Sequence, residues 1–230
     1  MEIKHLFFDL DRTLWDFEKN SHNELNCLFN QYKLHQRGIS LPNEFIKVYK
    51  KINEDCWERY RNNKLTKENL RVERFDLTLS FFGINDSDLA SKIGDDYVLN
   101  SPYRTNLIAG AIELLDYLYG KYVIHIITNG FEEVQHIKMA QSKLAKYFDQ
   151  IITSEAAGAK KPNPLVFKYA INKSGASLDN SLMIGDDLNT DIIGAINFGM
   201  KSIYFNPNFK THQFTVWKEV RSLLEIKNIL

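Results

Sequence analysis

At 230 residues, 44% apolar and 25% charged, the chain can build one large domain, or a core with a small insert, and needs no disulfide or metal to hold it. Lysine plus arginine equals aspartate plus glutamate at 29 each, which excludes a global electrostatic pull toward nucleic acid or an anionic membrane. The two cysteines, Cys27 and Cys56, form no CxxC pair and read as reduced structural thiols. No apolar run approaches the roughly 20 residues of a membrane span, and no signal-peptide pattern precedes the first strand. The expectation is a cytoplasmic protein, a monomer or small homo-oligomer, with no nucleic-acid or membrane partner.

Ile3 to Phe8, interrupted by Lys4 and His5, reads as a buried strand that runs into Asp9 and Asp11. From Asp16 to Tyr97 apolar residues recur at helical spacing: Leu25, Leu28 and Phe29; Phe45, Val48 and Tyr49; Leu77 and Phe81. Pro42 can start a helix there and Thr66 can cap one, so this stretch is expected to be wholly helical. Ser101-Pro102 marks the return to the core. Helix and strand then alternate. Ala111 to Tyr119 reads as a helix with Ile112, Leu115 and Leu118 on one face. Tyr122 to Ile127 is a strand ending at Thr128-Asn129-Gly130. Glu132 to Phe148 is helical, Ile151 to Thr153 is a strand, and a helix follows Pro164. Ser181 to Ile184 is a strand ending at Gly185-Asp186-Asp187. Thr190 to Phe198 is a helix and Ser202 to Phe205 a strand. This order predicts an α/β fold: a doubly wound, Rossmann-like, mostly parallel sheet from residues 1–15 and 98–230, with an all-helical insert over 16–97.

Ligands of such sheets bind beyond the carboxyl ends of the strands. Four polar strand ends or loops can meet there: Asp9/Asp11/Thr13, Thr128/Asn129, Lys161, and Asp186/Asp187 with Asp191. Two carboxylates two residues apart repel, so the first pair needs a cation, a shared proton or a strongly polar site. Taken singly, Thr128-Asn129-Gly130 reads as a turn, Lys160-Lys161-Pro162 as a solvated loop, and Gly185-Asp186-Asp187 equally as a turn and helix cap. Their joint order argues against those readings.

That order resembles the haloacid dehalogenase-like superfamily of hydrolases. The motifs match as Asp9-Leu10-Asp11-Arg12-Thr13, Thr128, Lys161-Pro162-Asn163-Pro164, and Gly185-Asp186-Asp187 with Asp191, and they span the whole chain. The helical insert looks like the C1 cap of that superfamily. The resemblance implies Asp9 as nucleophile and Asp11 as general acid and base, with Thr128, the Asn129 backbone and Lys161 on the phosphoryl oxygens. It also implies Mg²⁺ held by Asp9, the Asp11 carbonyl and Asp186, supported by Asp187 and Asp191. Thr13 buttresses the loop, Arg12 is a surface residue, and Asn163, where many members carry aspartate, caps the next helix. Asp11 favours phosphate chemistry over dehalogenation, which needs no general acid.

Leu14 to Ser21, Cys56 to Tyr60 and Leu70 to Phe75 resemble the pyrimidine 5′-nucleotidase branch. That points to a small phosphomonoester, a nucleoside 5′-monophosphate first. Trp15, Phe17, Trp57 and Tyr60 are candidates to stack on a base, against the plainer reading of helix core; stacking contributes roughly 1–3 kcal/mol per base. Arg71 and Arg74 read first as structural ion-pair residues. The alternatives are a phosphoglycolate or sugar-phosphate phosphatase, a phosphomutase, and, more remotely, a non-catalytic nucleotide-binding protein.

Overall fold

The structure is a computed structural model that describes residues 2–230. The chain forms two compact units, Met1–Phe17 with Thr105–Leu230, and Glu18–Arg104.

The first unit is built on a six-stranded parallel sheet: β1 (His5–Phe8), β2 (Val123–Thr128), β3 (Gln150–Thr153), β4 (Ser181–Gly185), β5 (Lys201–Phe205) and β6 (Lys218–Val220), in the order β3-β2-β1-β4-β5-β6. Helices cover both faces, so the strands read as near-continuous apolar runs. Alternation still sorts their side chains. Leu6 and Phe8 join one cluster with Ile124, Ile126, Leu182, Ile184 and Leu115; Phe7 joins the other with Ile127, Ile152, Met183 and Phe167. Each such buried side chain contributes about 1.5–3 kcal/mol. Phe8 pairs with Ile126 on one side and Ile184 on the other, so β1 ends centrally, flanked by the ends of β2 and β4.

The second unit is helical throughout: most of α1 (Phe17–Gln31), then α2 (Pro42–Arg61), α3 (Lys67–Phe81) and α4 (Ser87–Asn100). Pro42 opens α2, and the Thr66 hydroxyl accepts from the Asn69 N–H at 3.2 Å to cap α3. Its core joins Leu25, Leu28, Phe29, Phe45, Tyr49, Phe75 and Tyr97. Leu77 and Phe81 lie outside that core, exposed; the buried face of α3 runs through Leu70, Arg74, Phe75, Thr78 and Leu79 instead, with Arg74 over the Tyr97 ring. The units divide at 17/18 and 104/105, later than the sequence reading placed them, because α4 runs on to Asn100 and a short helical turn holds Ser101–Tyr103.

Three further elements differ from expectation. Ile112 in α5 (Ala111–Leu118) is exposed, and Ala111, Leu114, Leu115 and Leu118 make the buried face. The helix expected over 132–148 stops as α6 (Glu132–Gln141), because Lys143 adopts a left-handed conformation at φ 58°. The edge strand β6 was not read from the sequence; its three residues are too short to show alternation. The remaining helices are α7 (Ser154–Ala157), α8 (Pro164–Ser174) and α9 (Ile193–Phe198), the last preceded by a wider helical turn over Leu188–Ile192. Among the described residues, no helix is long and apolar enough to cross a membrane.

Candidate active site

Beyond the carboxyl ends of β1, β2 and β4, the four motifs come together within the first unit. Asp9 continues the ladder by donating its N–H to the Ile184 carbonyl at 2.9 Å, which seats it beside the end of β4. Lys161, in the loop before α8, is buried, and three oxygens surround its ammonium: Asp9 Oδ1 at 2.6 Å, the Ile127 carbonyl at 2.7 Å and Asp191 Oδ1 at 2.7 Å. An ammonium has three N–H donors, so its capacity is filled. Asn129 locks that loop: its Oδ1 accepts from the Lys161 N–H at 2.8 Å and its Nδ2 donates to the Lys161 carbonyl at 3.0 Å. With its side chain so engaged, only the Asn129 backbone is left for a ligand.

The Thr13 hydroxyl is fully buried between two carboxylates, 3.2 Å from Asp186 Oδ1 and 3.5 Å from Asp9 Oδ2. Asp191 Oδ2 accepts from the Asp187 N–H at 3.1 Å, and the Asp187 carboxylate caps the next turn by accepting from the N–H groups of Asn189 and Thr190. Gly185 makes room for this, since a Cβ there would lie 2.3 Å from Asp191 Oδ2. Asn163 caps α8 through Leu165 N–H. Arg12 has φ 68° and lays its guanidinium 4.3 Å from the Phe17 ring centroid.

Burial dominates the electrostatics. It pushes the Asp9 carboxyl up to about 7, against the pull of Lys161 and with the added repulsion of Asp191 and Asp11. Asp186 is raised well above the ordinary carboxylate value by burial and then by the charges of Asp9 and Asp191. Asp191 is raised by burial, with Lys161 opposing. Burial also disfavours the Lys161 ammonium, but Asp191 and Asp9 outweigh it and hold its pKa above the ordinary value. Lys161, together with Arg12 acting on Asp186, therefore leaves the acids under-compensated. Oxygens of Asp9, Asp186 and Asp191 lie within 4.8 Å of one another, a hard-oxygen set that fits a divalent cation such as Mg²⁺. Both Asp191 oxygens are engaged, by Lys161 and the Asp187 N–H, whereas Asp9 Oδ2 and the Asp186 carboxylate meet only the Thr13 hydroxyl among the described residues and so keep capacity for an ion.

Two participants were not anticipated. Gln135 and Lys138, both buried on α6, grip Asp11: Gln135 Nε2 donates to Oδ2 at 2.8 Å and Lys138 Nζ to Oδ1 at 2.6 Å. Their signal was present, since Gln135 and Met139 share a helical face with Lys138 one position away, which puts polar residues on a core-facing stripe. Of the stacking candidates, Trp15 is buried in the sheet core with Lys138 Nζ 4.2 Å from its ring centroid, so its faces are occupied. Phe17 is half-buried against that cluster. Trp57 and Tyr60 sit in the helical unit in an edge-to-face pair at 5.5 Å.

A parallel α/β sheet with carboxylates and a buried lysine gathered beyond the carboxyl ends of its central strands defines a doubly wound protein with a polar site where such sheets bind their ligands. The chain belongs to the haloacid dehalogenase-like hydrolases, whose family pattern matches residues 6–205. It is 30% identical to pyrimidine 5′-nucleotidase YjjG of Escherichia coli over 100% of this chain and 99% of that protein. It is 33% identical to pyrimidine 5′-nucleotidase PynA of Streptococcus pneumoniae, covering 90% and 86%. The crystal structure of the putative HAD-hydrolase YfnB from Bacillus subtilis, bound to magnesium, matches with a TM-score of 0.90 at 28% identity, covering 100% of this chain and 99% of that one.

Proposed function

We propose that this protein is a Mg²⁺-dependent phosphatase of small phosphomonoesters, with a nucleoside 5′-monophosphate as the leading substrate. The observation that carries it is the pairing of two acids in different settings: Asp9 against Lys161, and Asp11 held from α6. The names of two relatives at 30% and 33% identity support the nucleotide choice.

In this reading an Asp9 oxygen attacks phosphorus while the bond to the ester oxygen breaks, and Asp11 gives its proton to that leaving oxygen. Water then attacks the aspartyl-phosphate, Asp11 takes a proton from the water, and the Asp9 carboxylate is released with phosphate. Thr128 and the Asn129 backbone hold the phosphoryl oxygens, while Lys161, its three donors already engaged, offsets their charge from beside Asp9. Asp9, Asp186 and the Asp11 carbonyl would hold the cation, which supplies neutralisation of phosphoryl charge when bound. Asp187 and Asp191 fix the loop carrying Asp186.

The test is a panel of UMP, dTMP, phosphoglycolate and sugar phosphates with Mg²⁺, read by phosphate release, with Asp9→Asn as the inactive control. Fastest release from UMP or dTMP is expected. No release from any ester overturns the phosphatase reading, and preference for phosphoglycolate or a sugar phosphate overturns the nucleotide choice.

A further inference from the structure

We propose that Gln135 and Lys138 are positioning residues that set Asp11 and Thr128 in their working orientations; the inference rests on the phosphatase reading of the same site. Lys138 Nζ and Gln135 Nε2 take one Asp11 oxygen each, at 2.6 and 2.8 Å, which fixes both the rotamer and the tilt of the carboxyl group. A loop aspartate without such partners would sample several rotamers, and proton transfer needs one.

Gln135 does more. Its Nε2 also donates to Thr128 Oγ1 at 2.7 Å, and the Gly130 N–H donates to the same oxygen at 3.1 Å. A hydroxyl has two acceptor sites and one donor. Both acceptor sites of Thr128 are filled, so its own proton must point to a third atom. A bound phosphoryl oxygen is the acceptor that this arrangement selects. Gln135 thus turns an ambivalent hydroxyl into an obligate donor.

The amide orientation is set by chemistry. Reversed, the Gln135 oxygen would face the Asp11 carboxylate. In the orientation present, Gln135 Oε1 is buried with no hydrogen-bond partner among the described residues. An orphaned buried carbonyl is unfavourable, which marks this amide as held for the two contacts its Nε2 donates. Gly130 completes the device, because a Cβ there would lie 1.9 Å from Gln135 Nε2. The glycine of Thr128-Asn129-Gly130 is therefore a slot for the glutamine. Lys138 is held in turn by the Trp15 ring, 4.2 Å from its Nζ.

The experiment compares two esters in a single turnover with Mg²⁺. UMP leaves as an alkoxide and needs a proton; p-nitrophenyl phosphate leaves as a phenolate and does not. Lys138→Met and Lys138→Gln are predicted to slow the UMP step about 10²–10³-fold, and the nitrophenolate burst by less than about tenfold. Lys138→Arg restores most of the UMP rate. Gln135→Leu, which also releases Thr128, slows both esters, UMP more. Far-UV circular dichroism and thermal melts identify the folded variants, and Lys138→Gln, the closer match in polarity, decides the matter if Lys138→Met is unfolded. Equal losses on both esters, or an unchanged UMP rate, overturn the inference while the active parent leaves the phosphatase reading standing. An inactive parent overturns both.

Discussion

Replacing Lys161 by methionine tests the electrostatic account of the site most directly. The substitution keeps length and volume but removes three contacts, to Asp9 Oδ1, Asp191 Oδ1 and the Ile127 carbonyl. Breaking a buried ion pair by deleting one partner costs about 3–5 kcal/mol, because the other charge stays buried. Here two carboxylates are stranded, and they respond by taking up a proton. That uptake caps the cost at low pH and lets it grow as the proton is lost. One full proton bound in the native but not the unfolded state changes stability by about 1.4 kcal/mol per pH unit. Wild-type Asp9, pushed up to about 7, already binds part of a proton near neutrality, so the gap between variant and wild type should widen by only about 1–2 kcal/mol between pH 6 and pH 8. Urea unfolding in EDTA at the two pH values measures it. A gap below about 1 kcal/mol, or one that does not move with pH, refutes the reasoning. Turnover should fall at least about 10²-fold in the same variant, the scale of losing one preorganised electrostatic contact, because Asp9 loses the cation that holds it.

The raised Asp9 carboxyl means that the metal-free native state binds more protons than the unfolded chain between about pH 4 and 7, so this group's contribution to stability falls as pH rises through that window. Mg²⁺ should therefore raise the melting temperature more at pH 8 than at pH 5, and equal shifts would contradict the site's assignment to a cation. Gly185→Ala sets a Cβ 2.3 Å from Asp191 Oδ2 and 2.6 Å from its Cβ; a loss of about 1–3 kcal/mol is expected in thermal melts, and full retention of stability and Mg²⁺ response would speak against that close approach. Burial, and then His5, push His125 down to about 4, and its ring stacks on Phe7 at 4.8 Å. The unfolded state then binds the extra proton, so the wild type loses roughly 2–3 kcal/mol as pH falls from about 6.5 toward 4. His125→Phe should flatten that slope in denaturant titrations, and an unchanged slope would assign the acid loss elsewhere.

The parallel sheet was legible because its strands obey one rule throughout. Phe7-Phe8, Ile126-Ile127 and Met183-Ile184 are buried on both faces, so each appears as an apolar run that ends in a polar residue at the carboxyl edge. Lys161 was legible from its place before Pro162, and the structure buries it among acids while Lys160 stays partly exposed. Gln135 and Lys138 were hidden because polar residues on a helix read as its solvent face; only the phase relation to Met139 betrays them. The stop of α6 was hidden for a different reason. A left-handed lysine at 143 carries no mark in sequence, unlike a glycine in the same role.

Asp9 and Asp11 are two residues apart in the chain, yet their surroundings separate them. Asp9 stays in the sheet ladder and meets the loop before α8; Asp11 lies in the following turn and meets α6. Each meets a different lysine, Lys161 (which also pairs with Asp191) for Asp9 and Lys138 for Asp11. In the proposed mechanism, separate anchors keep Asp9 in place as the attacking group while Asp11 meets the leaving oxygen and then the water. Under that mechanism, the pairing of two acids with two lysines from different elements lets a short stretch of chain carry both a nucleophile and a proton carrier.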